Sequence, residues 1–106
     1  ITVTGSVNET SDIVFKKDIE DIDYGLDIIK KLKPRKYKFA HNENKNIVDI
    51  GFIAQEIEKF IPEIVTGSEG SKTISYSHLT AVLSKALQET IAKIEALETK
   101  VAALGG

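Results

Sequence analysis

Few residues in this 106-residue chain have the chemistry for catalysis or ligand binding. There is no cysteine, so disulfides and thiolate metal sites are unavailable. The two histidines, His41 and His78, are far apart in sequence. A zinc site would have to be built mainly from carboxylates, against the usual ligand preference of that metal, so no metal or other cofactor is expected. His41 lies in a polar stretch and reads as a surface residue. His78 opens a long helical pattern and admits two readings: an auxiliary acid or base, or a structural histidine with its hydrogen bonds satisfied. Ser11 stands beside Asp12 and is followed five residues later by Lys16. A serine hydroxyl is a poor nucleophile until a base takes its proton. Lysine acts as that base only when neutral, which requires burial or a neighbouring positive charge. Lys17 is such a neighbour in sequence, but in a strand it would point to the opposite face. On residue type and spacing alone, Ser11 reads as a turn or cap residue beside Asp12, and Lys16 as a solvated strand lysine. Gln55 and Glu56 open a short helix, where they either reach towards a site, reach a neighbouring subunit, or stay exposed.

Composition bounds what these residues serve. The length suits one small domain, which buries a modest fraction of its surface alone and gains from oligomerisation. Lys plus Arg is 14 and Asp plus Glu is 16, a net charge of -2. That balance argues against a nucleic-acid partner, which selects a basic patch or stripe. No apolar run approaches the ~18 residues of a membrane span. The chain opens on Ile1, without a signal-peptide pattern, as expected of a piece of a longer protein.

The pattern along the chain predicts an α+β fold: short strands and helices in a small globular part, then one long C-terminal helix. Residues 1–10 alternate weakly at Ile1 and Val3, break at Gly5-Ser6, and read as the end of a preceding β-rich region plus a linker. In the next segment, Val14, Ile19 and Ile22 are expected to anchor the chain to a core. Asp23 to Leu32 predicts a helix, capped by Asp21 or Asp23 and ended by Pro34. Arg35 to Ala40 alternates as a half-buried strand with Tyr37 and Phe39 on one face. A polar turn over His41 to Asn46 leads to a second strand, Ile47 to Ile53. A short helix from Ala54 to Ile61 follows, with Ile53, Ile57 and Ile61 in register and Pro62 as its stop. Ile64 to Thr66 and Thr73 to Tyr76 flank the loop Gly67-Ser68-Glu69-Gly70-Ser71, the signature of a hairpin. The globular part is thus expected over residues 11–76.

The clearest element is the helix expected over residues 77–104, which contains no proline or glycine and has Ser77 as its cap. With Leu87, Ile94 and Val101 at heptad position a, Leu83, Thr90, Leu97 and Leu104 fall at d. Lys93 and Lys100 then fall at g and Glu98 at e, the charge arrangement of a parallel coiled coil. Leu79, Val82 and Ile91 lie off that seam, and Thr90 interrupts it. The N-terminal half is therefore expected to pack on the globular part, and the half beyond Thr90 to form the seam. The a and d residues by themselves favour two strands over three.

Several stretches together resemble one known family. They are Ser11-Asp12 with Lys16-Lys17, Ile19 and Ile22; the strand Tyr37-Lys38-Phe39; Gly51-Phe52-Ile53-Ala54-Gln55-Glu56; Pro62-Glu63-Ile64-Val65; and Ile74-Ser75-Tyr76-Ser77-His78-Leu79 before the long helix. This combination, from Ser11 to the C-terminus, is similar to the auto-cleaving C-terminal chaperone domain of phage endosialidase tail spikes, tail fibres and neck appendages.

The resemblance implies a homotrimer whose long helices form a trimeric coiled coil, with a seam that includes Leu83, Leu87, Ile94, Leu97, Val101 and Leu104. It implies that the domain guides folding of the fibre chain upstream in cis and then cuts itself off. By position, Ser11 is the nucleophile, Lys16 its base, and the bond between Thr10 and Ser11 the one cut. Asp12, His78 and Gln55 are candidates for supporting roles. A domain of this kind is expected in a virion precursor made in the host cytoplasm. A trimerising module that has lost the cutting step shares the same architecture. A coiled-coil adaptor for a partner helix is the reading from a different function class.

Overall fold

The structure, a computed structural model, describes residues 8–40 and 46–105. The expected strand around Ile1 and Val3 and the surface position of His41 lie outside the described residues. Among the described residues, two antiparallel strand pairs, two short helices and one long helix follow in order. Helix α1 covers Leu26–Ile29. Strands β1 (Arg35–Tyr37) and β2 (Asp49–Gly51) pair with Arg35 opposite Gly51 and Tyr37 opposite Asp49. Helix α2 is Ala54–Glu58. A 3-10 turn over Pro62–Ile64 leads into β3 (Val65–Thr66), which pairs with β4 (Thr73–Ile74). Helix α3 runs Tyr76–Gly105, about 45 Å at the usual rise.

The core gathers Ile57, Ile61, Ile64, Val65, Leu79 and Val82, with Ala86 also buried. Ile57 and Ile61 lie one turn apart, and Leu79, Val82 and Ala86 repeat at three and four residues, so each element turns one apolar stripe inward. Ile22, Ile28, Ile29, Leu32, Phe52 and Phe60 pack around this cluster. The hairpin predicted around Gly67 to Ser71 is present. Its loop needs two left-handed residues, supplied by Gly67 at φ +97° and Gly70 at φ +93°. The Thr66 and Thr73 hydroxyls meet across it at 2.8 Å.

The differences from the sequence expectations have local causes. The first helix is four residues rather than ten, and neither Asp21 nor Asp23 caps it. It starts after Gly25, and its Leu26 N–H is accepted by Glu89 Oε1 of α3 at 2.8 Å. A Cβ on Gly25 would fall 1.7 Å from that oxygen, so glycine lets the two helices close on each other. Looser i+3 turns carry the chain on to Leu32. Helix α3 begins at Tyr76, ahead of the expected Ser77 cap, and the Ser75 carbonyl accepts the Leu79 N–H. Val14, Ile19 and Ile53 are exposed rather than buried, whereas Ile22 joins the core as expected. Phe39 is also exposed, its ring edge-on to Tyr37. Within α3 the division expected near Thr90 is present: no residue beyond Ala86 is buried.

Candidate functional site

Residues 11–16 form a tight local structure rather than the strand-like segment expected around Lys16. In a strand, five residues would span about 17 Å and place positions 11 and 16 on opposite faces. Here Ile13–Phe15 is a 3-10 turn. Asp12 precedes it with extended backbone, φ -65° and ψ 142°. Its carboxylate Oδ1 accepts the Val14 N–H at 3.0 Å, and its carbonyl accepts the Phe15 N–H at 3.1 Å. The Lys16 N–H closes the turn on the Ile13 carbonyl at 3.0 Å. Lys16 then returns to extended backbone, and its Nζ donates to Ser11 Oγ at 2.9 Å. Thr10 and Ser11 lie outside any helix or strand, and residues 8–20 are all exposed. The chain leaves this unit through Asp18, whose φ of 53° is a left-handed conformation that Asp tolerates better than most residues.

The structure therefore brings Ser11, Asp12 and Lys16 together, and it engages the other candidates elsewhere. The Gln55 side-chain amide donates to Glu69 Oε1 in the hairpin loop at 3.0 Å. Glu56 takes a two-pronged bond from Arg35, Nε to Oε1 at 3.0 Å and Nη2 to Oε2 at 2.6 Å, which ties α2 to β1. The guanidinium holds the Glu56 carboxyl below its ordinary range. His78 Nδ1 is hydrogen-bonded to Ser75 Oγ one turn back. His78 also borders a groove of about 380 Å³ with Asp18, Asp21 and Glu63 over Ile61 and Val82. In that groove the Tyr24 hydroxyl donates to Glu63 at 2.8 Å, and this bond raises its pKa.

The stretches that resembled a family meet in space as scaffold. Gly51 lies under the hydroxyls of Tyr37 and Tyr76, each 2.7 Å from where a Cβ would stand. The Tyr76 hydroxyl accepts the Phe52 N–H at 3.1 Å, and its bond with Tyr37 raises the pKa of the Tyr37 hydroxyl. Strand β1, the Gly51-Phe52 corner and the start of α3 are thus joined through two phenols. The resemblance marked all three stretches, but nothing in the sequence shows that they touch. Along α3, the seam candidates Leu83, Leu87, Ile94, Leu97, Val101 and Leu104 are all exposed.

No curated protein matches the chain. The family model described as chaperone of endosialidase, Peptidase_S74, matches residues 11–66. The matched stretch opens on Ser11, contains Lys16 and both β1 and β2, and ends on Thr66 at the edge of the hairpin. With over half of its length matched by that model, the chain belongs to the endosialidase-chaperone family, whose members are intramolecular chaperones.

Proposed function

We propose that the domain trimerises through α3, guides folding of a phage fibre or spike β-structure upstream of it, and then cuts the bond between Thr10 and Ser11. The observation that carries this reading is the 2.9 Å contact between Lys16 Nζ and Ser11 Oγ beside that bond. Neutral Nζ takes the hydroxyl proton, and Oγ attacks the Thr10 carbonyl carbon. The C–N bond of the peptide breaks, the Ser11 nitrogen takes a proton and becomes a free amine, and Thr10 is left as an ester on Oγ. Water then hydrolyses the ester, giving the Thr10 carboxylate and restoring the Ser11 hydroxyl. Nucleophile and target share a chain, and effective concentrations in well-oriented cases reach ~10⁵ M or more, so a modest base suffices.

In a single chain Lys16 is exposed. Ile13, Val14 and Phe15 beside it are 73–76% exposed. Association that covers this apolar strip takes Lys16 out of water and favours its neutral form. The exposed seam of α3 supplies a surface for association, and the count of three chains rests on the family resemblance. The natural setting of this chemistry is a virion precursor in the host cytoplasm.

The test is processing of a precursor that spans Thr10–Ser11, read by mass spectrometry. Ser11→Ala and Lys16→Ala should each stop cleavage and leave assembly intact. Lys16→Arg should be inactive too, because arginine cannot act as a neutral base. Normal processing of Ser11→Ala would sink the mechanism.

A further inference from the structure

We propose that Asp12 is a positioning residue for the Ser11–Lys16 pair, acting through the backbone turn it caps and not through its charge. The inference rests on the reading of Ser11 and Lys16 given above. Ser11 and Lys16 are an odd number of residues apart, so extended backbone would set them on opposite faces, out of reach. A single 3-10 turn removes that problem, and three residues of 3-10 structure have little stability of their own. What holds this turn is visible. The Asp12 carboxylate accepts the Val14 N–H at 3.0 Å, which would otherwise lack a partner at the start of the turn. The Ile13, Val14 and Phe15 side chains are exposed, so no packing within the chain fixes the turn. The cap and two backbone bonds, Phe15 N–H to Asp12 O and Lys16 N–H to Ile13 O, are its supports.

The alternative is that the carboxylate works on Lys16 by charge, favouring the ammonium form. The two roles separate by chemistry. Asparagine and serine both offer a capping oxygen and carry no charge. A charge role is lost in both, whereas a cap is kept in both.

The experiment measures the rate of cleavage before Ser11 in a precursor spanning that bond, for the unmutated chain and for Asp12→Asn, Asp12→Ser and Asp12→Ala, across a range of pH. A cap at a helix start is worth about a fivefold change in the population of the first turn. Asp12→Ala should therefore cleave roughly fivefold more slowly, while Asp12→Asn and Asp12→Ser stay within about twofold of the unmutated rate. The midpoint of the rate against pH should stay in place in all three, because the base is displaced and not retuned. Overturning results are Asn and Ser as slow as Ala, a shifted pH midpoint in the Asn variant, or an unimpaired Ala variant. Should Asp12→Ala fail to assemble, the Asn and Ser variants decide alone: near-normal rates support the cap, and a tenfold loss in both overturns it. Ser11→Ala in parallel keeps the two ideas apart, since its normal processing would remove the catalytic pair whatever the Asp12 series shows.

Discussion

The two halves of α3 are built from the same residue types and meet different fates. Up to Ala86 the helix buries Leu79 and Val82 in the cluster with Ile57, Ile61, Ile64 and Val65, and Val82 is 1% exposed. Beyond that point the apolar repeat continues through Leu87, Ile94, Leu97 and Val101, and Leu97 is 59% exposed. A contiguous apolar stripe of this length on one helix marks an interaction surface. Its heptad spacing fits other copies of the same helix. The first half is thus stabilised by its own chain, while the second half keeps its apolar stripe exposed.

Charge placed in each half gives the largest contrast. Val82→Asp buries an unpaired carboxylate in the core and should abolish the folded globular part, a loss on the order of 4 kcal/mol or more, read by near-ultraviolet circular dichroism. Leu97→Asp should leave that signal intact and dissociate the assembly in sedimentation. The unmutated domain is expected to sediment as a trimer. A stable monomer would break the comparison, and a stable dimer would favour the heptad preference over the family resemblance. Truncation gives a milder form. Leu79→Ala should cost about 3 kcal/mol in denaturant unfolding, whereas Leu97→Ala should lower stability only at concentrations where chains associate.

Helix α1 sharpens the boundary between the halves. Glu89→Ala removes the acceptor for the Leu26 N–H and should cost about 1 kcal/mol, measured by chemical unfolding. Gly25→Ala should act through the same contact, since its methyl group displaces the Glu89 carboxylate. The smallest effect is expected in acid. Folding depresses the Glu56 pKa below 4.5 through the hydrogen bonds from Arg35. Its contribution to stability is present above the ordinary value and fades as pH falls through the lowered one. Glu56→Gln should therefore flatten part of the acid limb of stability below pH 4.5 and change little near neutrality.

Elements with one-dimensional signals were legible in the sequence. The long helix shows as an uninterrupted apolar repeat without glycine or proline, and the hairpin as two β-branched runs around Gly67 and Gly70. What depended on distant partners was not. The cap of α1 comes from Glu89, 63 residues from Leu26, and no local pattern reveals it. Val14 and Ile19 looked like core anchors because residue type does not distinguish an apolar side chain that its own chain covers from one left exposed. The Ser11–Lys16 contact depended on recognising the family, because spacing alone leaves the backbone between them free to extend. The 3-10 turn that closes the gap is held by a carboxylate contact too short-ranged to leave a periodic trace.

The Glu89 carboxylate on the Leu26 amide also makes a remote spectroscopic reporter. Glu89 lies past the last buried residue of α3, so the core does not hold it in place by itself; winding of the helix does. Fraying that enters from Gly105 must travel sixteen residues to reach it. Hydrogen exchange at the Leu26 amide should stay slow until unwinding passes that point, and then quicken abruptly. One proton near the start of the globular part would thus report how far the helix has unravelled from its opposite end.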